Sequence, residues 1–294
     1  MLKCLRVHTL GMGMMGLFLM AGCGNADYSR TQDGLVYKIF KTGDGPLIKA
    51  KTYLKINQSA TVGDSVLFST FSFLPAYGFF DSLPTPTHDF LDILDKMRVG
   101  DSAVILRSVD TMFNRGGIQY NELFKKGGNI QVTFKVLGAF ETEAAMTADR
   151  EKSFDALKQV EVKRLKDYIF SKNLKPIETK EGVFVVIEKE GAGAKVDSGM
   201  YVRVNYTGSL KNGKVFDSNV DSTFGHVEPF EYQAGARQVI QGWDIGVLQL
   251  KEGSKAKIYI PSLLGYGSEA QGDKLPAFSD LVFEIEVLEV KSTQ

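Results

Sequence analysis

Apolar and polar residues alternate at two places in the last third of the chain. From Tyr201 onward every second residue is apolar, as Val202, Val204 and Tyr206 show. The same alternation returns over residues 281–288. A period of two residues is typical of a strand with one buried face, so the pattern predicts two half-buried strands.

Two further signals lie between these strands. Asn212-Gly213 separates two alternating runs, and this dipeptide favours a tight hairpin because both positions of such a turn need positive φ. Residues 240–250 are apolar at helical spacing, and Gly253 follows to end the helix. Several antiparallel strands around one short helix predict an α+β fold.

Seven short motifs follow one another along about 110 residues of the second half. They are YTG at 206–208, NGK at 212–214, FDS at 216–218, VIQGW at 239–243, GYG at 265–267, LP at 275–276 and LVFEIEVL at 281–288. In this order they resemble the FKBP-type peptidyl-prolyl cis-trans isomerases. The resemblance implies an antiparallel sheet wrapped around a short helix, isomerisation of X–Pro bonds in polypeptides without a covalent intermediate, macrolide inhibitor binding, and no cofactor or metal.

The resemblance also implies a set of catalytic residues. They are Tyr206, Phe216, Asp217, Phe230, Val239, Ile240, Trp243, Tyr266, Leu275 and Phe283. Trp243, the only tryptophan of the chain, would be the floor under the proline ring, and the backbone N–H of Ile240 and the hydroxyl of Tyr266 would bind carbonyl groups. Without the resemblance each aromatic residue would be assigned to the core, as aromatic residues on strands usually are. Phe278 departs from the family, which has small or polar residues in this loop.

No nucleophile, metal site or phosphate loop stands out in the sequence. His88 and His226 lack a cysteine partner and HExxH spacing, and both are expected in solvated loops. Rotation about an X–Pro bond needs neither group, because its barrier of about 18–20 kcal/mol comes from amide resonance. A water-poor aromatic pocket would favour the less polar, twisted amide. The alternative function is that of a non-enzymatic holdase chaperone or binding module of the cell envelope.

The first half of the chain aligns with the second. Residues 33–45, 66–82, 90–106 and 130–140 align with 181–193, 202–218, 243–259 and 280–290, respectively. This predicts a diverged copy of the same domain, with Thr70 opposite Tyr206 and Phe90 opposite Trp243. In this alignment the strand around Phe230 has no counterpart, so the first copy should lack the walls of a pocket.

A long helix is predicted between the two copies. Residues 142–173 lack Gly and Pro and place apolar residues three or four apart from Phe154 to Ile169. Such a helix would be roughly 40 Å long at 1.5 Å per residue, and Pro176 lies beyond its end. It either packs on one or both domains or forms a homodimer, and both alternatives remain open.

The first 22 residues resemble a bacterial lipoprotein signal peptide. Lys3 and Arg6 precede an apolar stretch at 10–20 that is too short to span a bilayer as a helix. Cleavage before Cys23 would leave this cysteine to carry acyl chains, which anchor a protein to a membrane. Gly24 after the cysteine favours the outer membrane, with the protein facing the periplasm. The alternative is an ordinary secretory signal.

Length and charge complete the prediction. The 294 residues fit two domains, and 44% of them are apolar, as in packed globular domains. The formal net charge is zero and no basic stripe is present, so no nucleic-acid partner is expected. The predicted parts are the signal peptide at 1–22, the diverged domain at 23–141, the helical linker at 142–175 and the catalytic domain at 176–294.

Overall fold

The structure is a computed structural model that describes residues 28–81 and 87–292. The predicted signal peptide and Cys23 lie outside these residues, so both stay predictions. Within the two described stretches, no helix is long and apolar enough to cross a bilayer. The described residues form two antiparallel sheets, each packed on a short helix, with a long helix between them in sequence.

The first sheet and its short helices form what we call the N-terminal unit. Its strands are β1 (Ser29–Arg30), β2 (Val36–Phe40), β3 (Thr52–Val62), β4 (Ser65–Ser69), β5 (Ala76–Phe80), β6 (Ser102–Ser108) and β7 (Asn129–Phe140). The order is β1-β2-β6-β7-β3-β4, and β4 and β5 share the outer edge of β3. A 3-10 helix, Phe90–Lys96, and the helix α1, Val109–Asn114, complete the unit.

The second sheet forms the C-terminal unit in the same arrangement. The long helix α2 (Glu143–Ser171) precedes β8 (Ile177–Glu178), β9 (Phe184–Lys189), β10 (Tyr201–Leu210), β11 (Val215–Ser218), β12 (Phe230–Gln233), α3 (Gln241–Val247), β13 (Lys255–Ile260) and β14 (Leu281–Lys291). Three 3-10 turns lie at Ser222–Phe224, Ser262–Leu264 and Gly272–Lys274. The order is β11-β10-β14-β13-β9-β8, with β12 beside β10. The predicted α+β fold is confirmed.

Two glycines allow the short helix α3 to lie directly on β13. A Cβ atom at Gly242 would collide with Ile260, and one at Gly246 would collide with Ile258. This close approach buries Trp243 in the core of the C-terminal unit. The helix is shorter than the predicted 240–250. Ile240 is its N-cap residue and Leu248 its C-cap residue, so only residues 241–247 are helical.

The strand pairing corrects the register of the internal repeat. Against β14, β10 has an irregularity between Arg203 and Val204, and against β7, β3 has the same irregularity between Lys55 and Ile56. The counterpart of β10 is therefore β3. The gapless alignment matched β10 with β4 instead, because the similar triplets at 80–82 and 216–218 dominated it.

Side-chain hydrogen bonds give the same register. The backbone N–H of Tyr206 donates to the Asn219 side chain at 2.6 Å, and that of Gln58 donates to the Thr70 hydroxyl at 2.8 Å. Gln58 is therefore the counterpart of Tyr206. The predicted match of Thr70 with Tyr206 is wrong, since Thr70 occupies the place of Asn219.

The strand around Phe230 also has a counterpart, contrary to the prediction. Ala76 of β5 lies opposite Ile56, as Phe230 of β12 lies opposite Val204. What the N-terminal unit lacks is thus the C-terminal side chains at these positions and not the strands. By strand register, three C-terminal residues are replaced: Tyr206 by Gln58, Phe230 by Ala76 and Asp217 by Phe68.

The helix α2 packs on both units, as one of the two alternatives predicted. Near its start, Asp149 accepts a hydrogen bond of 2.7 Å from the hydroxyl of Tyr77 in β5. Near its end, Leu165 and Ile169 are fully buried against the C-terminal sheet. The helix therefore touches the edge of one sheet and the outer face of the other.

The two units also meet directly at one aromatic pair. The rings of Phe73, between β4 and β5, and Phe278, just before β14, are stacked with centroids 4.3 Å apart and an interplanar angle of 11°. Phe278 has φ of 54°, which a residue with a side chain rarely adopts. This contact gives a physical reason for the departure from the family noted in this loop.

Candidate functional site

Five aromatic residues of the C-terminal unit meet around Trp243. The Trp243 ring centroid lies 4.7 Å from that of Phe283 and 5.1 Å from that of Tyr206, with the rings edge to face in both pairs. Phe230 lies 6.4 Å from Trp243, and Phe216 lies 5.7 Å from Phe283. We call these five residues the aromatic cluster. It draws on α3 and on the four strands β10, β11, β12 and β14, so the structure brings these predicted residues together.

Trp243 lies at the base of the aromatic cluster and Phe230 at its edge. Trp243 is 4% exposed, whereas Phe230 is 37% exposed. The indole Nε1 of Trp243 and the hydroxyl of Tyr232 are buried close to each other, and neither forms a hydrogen bond of good geometry within the described residues. Burial raises the pKa of the Tyr232 hydroxyl, which therefore stays neutral. An unpartnered polar group favours a site where a ligand or water supplies the missing partner.

A polar group borders the aromatic cluster on the side of β11. The hydroxyl of Tyr206 donates to Oδ2 of Asp217 at 2.8 Å, and Nε2 of His226 lies 3.2 Å from Oδ1 of the same carboxylate. Burial raises the pKa of Tyr206, and the carboxylate of Asp217 raises it further. Tyr206 is therefore a neutral donor at physiological pH, and its ring is held by its own hydroxyl.

The backbone around β10 fixes this geometry. A Cβ at Gly208 would lie 2.7 Å from the Phe283 ring and 2.8 Å from the Phe216 ring, so only glycine lets both rings fit. The amide of Asn219, which is 1% exposed, donates to the carbonyl oxygen atoms of Val204 in β10 and Glu228 ahead of β12, each at 3.1 Å. Asn219 thereby fixes the approach to β12 against β10, and β12 carries the outer wall of the cluster.

The remaining predicted residues pack against the same core. They are Val239, Ile240, Tyr266 and Leu275. The N–H of Ile240, at the start of α3, and the hydroxyl of Tyr266 form no hydrogen bond with the described residues. Burial raises the pKa of Tyr266. Leu275 is 2% exposed, so it closes the cluster from within the protein.

Sequence reasoning missed three residues of this region. His226 lies in an exposed loop, as expected, but it also contacts Asp217, and Asn219 and Tyr232 were not singled out. Tyr232 lies two residues after Phe230 on the same strand, and their rings are stacked at 5.5 Å, so the period of two could have indicated it. A single histidine or asparagine in a loop carries no comparable signal.

His88 differs from its prediction as well. It is 5% exposed, and its Nδ1 lies 3.0 Å from Oδ2 of Asp33. The expectation of a solvated loop is therefore wrong for this residue. The pair joins the turn before β2 to the start of the 3-10 helix and lies in the N-terminal unit, away from the aromatic cluster.

This arrangement suits a reaction that proceeds without bond cleavage. The cluster presents aromatic carbon surface, and two donors nearby have no partner in the part of the chain that the structure describes: the N–H of Ile240 and the hydroxyl of Tyr266. Such a surface desolvates a planar amide, while neutral donors can bind carbonyl oxygen atoms without transferring a proton. Proline, an apolar ring attached to a tertiary amide, fits a site of this chemistry.

Comparisons with known proteins agree with this chemistry. Residues 193–288 match the family described as FKBP-type peptidyl-prolyl cis-trans isomerase. The FK506-binding protein of Neisseria meningitidis serogroup B is 40% identical over 109 residues, which are 37% of this chain and 96% of that protein. FK506-binding protein 2 of Dictyostelium discoideum is 47% identical over 94 residues, which are 32% of this chain and 68% of that protein.

A further relative matches a longer part of the chain. The probable FKBP-type peptidyl-prolyl cis-trans isomerase of Haemophilus influenzae is 36% identical over 166 residues, which are 56% of this chain and 65% of that protein. The family match extends from before β10 into β14 and includes all ten predicted site residues. The chain therefore belongs to the FKBP-type peptidyl-prolyl cis-trans isomerases and is an enzyme of that type.

Proposed function

We propose that the aromatic cluster is the place where this chain isomerises X–Pro bonds of polypeptides, and that the N-terminal unit does not catalyse the reaction. The observation that supports this most directly is the Tyr206–Trp243–Phe283 contact, which the N-terminal unit replaces with Gln58, Phe90 and Val132. The domain limits we propose are those predicted, 23–141, 142–175 and 176–294.

The mechanism rests on desolvation and on hydrogen bonds to neutral donors. Twisting the X–Pro bond breaks amide resonance, whose barrier is about 18–20 kcal/mol. The twisted amide is less polar than the planar one, so a dry aromatic surface destabilises the ground state relative to the transition state. A rate gain near 10⁶ would require about 8 kcal/mol, which several such interactions together can supply.

Each residue then has a physical role. Trp243 supports the proline ring, and Tyr206, Phe230 and Phe283 exclude water around it. The N–H of Ile240 and the hydroxyl of Tyr266 bind carbonyl groups of the bound peptide. Raised pKa values keep the hydroxyls of Tyr206 and Tyr266 neutral, so both remain donors.

An isomerase assay on the full chain tests this assignment. The replacement Trp243→Leu should lower kcat/KM for a chromogenic Xaa-Pro tetrapeptide at least tenfold. The matched control is Phe90→Leu, which shortens the counterpart aromatic residue in the N-terminal unit and should leave kcat/KM within twofold of wild type. Equal losses in both variants, or no loss in a folded Trp243→Leu protein, would contradict the assignment.

The same cluster is proposed to bind macrolide inhibitors, since members of this family are named for binding FK506. The wild-type chain should bind FK506 with an affinity that Trp243→Leu lowers at least tenfold. Fluorescence of Trp243, the only tryptophan, gives a direct signal for binding to the wild type. Isothermal titration calorimetry serves for the variant, and unchanged affinity there would show that the drug binds elsewhere.

A lipid anchor at Cys23 is proposed for the cell envelope. Three features of the first 23 residues support the anchor: the basic residues, the apolar stretch and Cys23 itself. Gly24 after the cysteine supports the outer membrane as its location. The clients would then be polypeptides of the periplasm. Labelling of cells with a palmitate analogue should mark the wild type and not Cys23→Ser, and fractionation should place the label in the outer membrane. Equal labelling of both proteins would contradict the anchor.

Dimerisation through α2 is a proposal with one supporting observation. Phe154 and Val160 of this helix are 40% and 59% exposed, although it packs on both units. If α2 joins two copies, Val160→Lys should shift the sedimentation coefficient from a dimer to a monomer. A wild-type protein that sediments as a monomer at micromolar concentration would contradict the proposal.

The N-terminal unit is proposed to hold unfolded clients. Three apolar residues on the strands beside the outer edge of β3 are exposed: Val66 at 66%, Phe68 at 46% and Phe79 at 53%. An exposed apolar surface of this kind is typical of a protein-binding site. The variant Phe68→Ser/Phe79→Ser should prevent client aggregation less well than wild type at equal isomerase activity. Equal protection by both proteins would exclude this surface.

A further inference from the structure

The segment between β13 and β14 carries two of the predicted catalytic residues. Residues 261–280 join these strands, and Tyr266 and Leu275 lie within them. Both side chains pack against the core that contains Trp243. The position of this segment therefore decides how Tyr266 and Leu275 meet a peptide in the proposed pocket.

One end of the segment is fixed by Glu161 of α2. The hydroxyl of Ser262 donates to Oε1 of Glu161 at 2.5 Å, and the backbone N–H of Leu263 donates to Oε2 at 3.0 Å. Glu161 and Ser262 are both fully buried. The carbonyl of Ser262 in turn accepts hydrogen bonds from the N–H groups of Gly265 and Gly267, each at 2.9 Å. These two glycines flank Tyr266. Glu161 therefore fixes the turn that carries this tyrosine.

The other end of the segment is fixed by Arg164 of the same helix. Its Nε and terminal nitrogen atoms donate to the two carboxylate oxygen atoms of Asp280 at 2.8 and 2.6 Å. Asp280 is 7% exposed and also lies 3.4 Å from Nζ of Lys211. Such a two-pronged arginine–carboxylate pair defines orientation as well as distance. Asp280 ends the segment, five residues after Leu275.

The two contacts cannot move independently of each other. Glu161 and Arg164 lie one turn apart on α2, with Oε1 of Glu161 3.7 Å from the Arg164 guanidinium. Below them, Leu165 and Ile169 are fully buried against Phe184, Tyr259 and Val282 of the C-terminal sheet. A continuous helix with this anchor holds both ends of the segment at a fixed separation. Without Arg164, the buried carboxylate of Asp280 would keep only the longer contact of 3.4 Å with Lys211 among the cations of the described residues, which favours rearrangement.

We propose that Glu161 and Arg164 are positioning residues of the isomerase, which hold both ends of residues 261–280 and thereby set Tyr266 and Leu275 against the aromatic cluster. The linker helix α2 lies outside the proposed catalytic domain at 176–294, but it then supports the active site and is more than a spacer. This inference rests on the proposed location of the active site. It extends the set of functionally required residues beyond the ten predicted ones and beyond the family match at 193–288.

The test compares three full-length variants. Arg164→Met removes the pair with Asp280, and Arg164→Lys keeps the charge but not the two-pronged geometry. The control is Lys166→Met, which removes a cation of α2 that pairs with Glu178 at 2.6 Å on the surface and does not contact the segment. For each protein we would measure kcat/KM with an Xaa-Pro tetrapeptide, the melting temperature, and amide hydrogen exchange over 261–280.

Arg164→Met should lower kcat/KM at least tenfold at a temperature where it is fully folded, with faster exchange over 261–280. Arg164→Lys should recover at least part of that loss, and Lys166→Met should stay within twofold of wild type. A folded Arg164→Met protein with wild-type kcat/KM would overturn the proposal. If Arg164→Met does not fold, Glu161→Gln replaces it in the test. This variant should lower kcat/KM at least threefold, and a wild-type kcat/KM would overturn the proposal.

The two proposals fail in different ways. A wild-type chain without isomerase activity would refute the proposed site, whatever the variants do. Unchanged hydrogen exchange over 261–280 in the folded Arg164→Met protein would refute only the positioning role of Glu161 and Arg164, because that measurement needs no turnover. A purely structural role for Arg164 would lower the melting temperature and leave kcat/KM of the folded protein unchanged.

Discussion

The hydroxyl of Tyr206 and the carboxylate of Asp217 are joined by a hydrogen bond of 2.8 Å at the edge of the aromatic cluster. The bond ties the ring that contacts Trp243 to the neighbouring strand β11. In the N-terminal unit both partners are absent, since Gln58 and Phe68 occupy their register positions. The pair is therefore a feature of the proposed pocket and not of the fold that the two units share.

Tyr206→Phe should weaken catalysis more than stability. The variant loses one hydrogen bond that borders solvent, so the free energy of unfolding should fall by only about 1 kcal/mol. Because the ring is no longer tied to Asp217, kcat/KM for an Xaa-Pro tetrapeptide should fall several-fold. Coupled isomerase assays and urea unfolding followed by Trp243 fluorescence would measure both quantities.

Thr207→Val is the matched control for this prediction. Thr207 is the next residue of β10, and its hydroxyl bonds to Ser218 at 2.9 Å, away from the aromatic cluster. Thr207→Val should lower the free energy of unfolding by a similar amount, and its kcat/KM should equal that of wild type. If Thr207→Val and Tyr206→Phe had equal kcat/KM values, the Tyr206–Asp217 bond would have no catalytic role.

Much of the fold could be predicted because it depends on local patterns. Alternation gave the strands at 201–210 and 281–291, and the Gly- and Pro-free stretch gave α2 within two residues of its observed ends. The register of the repeat could not be predicted, because Phe80 and Phe216, which begin similar triplets in the sequence, lie in β5 and β11, two strands that are not counterparts. The bulges after Lys55 and Arg203 and the hydrogen bonds to Thr70 and Asn219 identify the true counterparts, and neither feature leaves a mark in a single sequence.

The site shows the same limit. Its aromatic residues could be named from motifs, whereas the buried partners of α2 could not. Glu161 and Arg164 look like ordinary surface charges of a polar helix, since the sequence does not show that Ser262 and Asp280 lie against them. Contacts between residues more than 100 positions apart require the fold to be known.

Phe73→Ala should change how the two units are arranged. The stacked pair with Phe278 is worth about 0.5–1.5 kcal/mol beyond its buried area, so its loss should let the N-terminal unit adopt more orientations. Small-angle X-ray scattering should show a larger radius of gyration than in wild type. Phe79→Ala is the control, because Phe79 pairs with Tyr53 inside the N-terminal unit. An unchanged scattering profile for Phe73→Ala would show that α2 alone sets the arrangement.

Asp101→Asn should destabilise the N-terminal unit in a pH-dependent manner. Burial alone would raise the pKa of Asp101, but N–H groups of Arg98, Gly43 and Thr42 donate to its carboxylate at 2.8–2.9 Å and lower this pKa from its ordinary value. A lowered folded-state pKa stabilises the protein above about pH 4, and this stabilisation is lost as the pH falls through the lower value. The variant should therefore lose about 1–2 kcal/mol at pH 7 and much less near pH 3.

Circular dichroism would follow unfolding of the whole chain, while Trp243 fluorescence reports the C-terminal unit. The counterpart residue Ser254 is a suitable control, since its hydroxyl accepts from the N–H groups of Gly191 and Lys251 at 3.0 and 3.1 Å but does not titrate in this range. Ser254→Ala should lose stability at both pH values. A loss for Asp101→Asn that is equal at pH 7 and pH 3 would contradict the assigned role.

Truncation should show where the catalytic part of the chain begins. A fragment of residues 176–294 keeps β8 to β14 but lacks α2, so Asp280, Ser262 and the apolar side chains beneath Leu165 would face water. A fragment of residues 142–294 keeps these contacts and should have kcat/KM within twofold of the full chain. The shorter fragment should have a kcat/KM at least tenfold lower. It should also melt at a lower temperature, because each Å² of apolar surface that it exposes costs about 25 cal/mol of stability. Equal activity in the two fragments would mean that the C-terminal sheet alone holds Tyr266 in place.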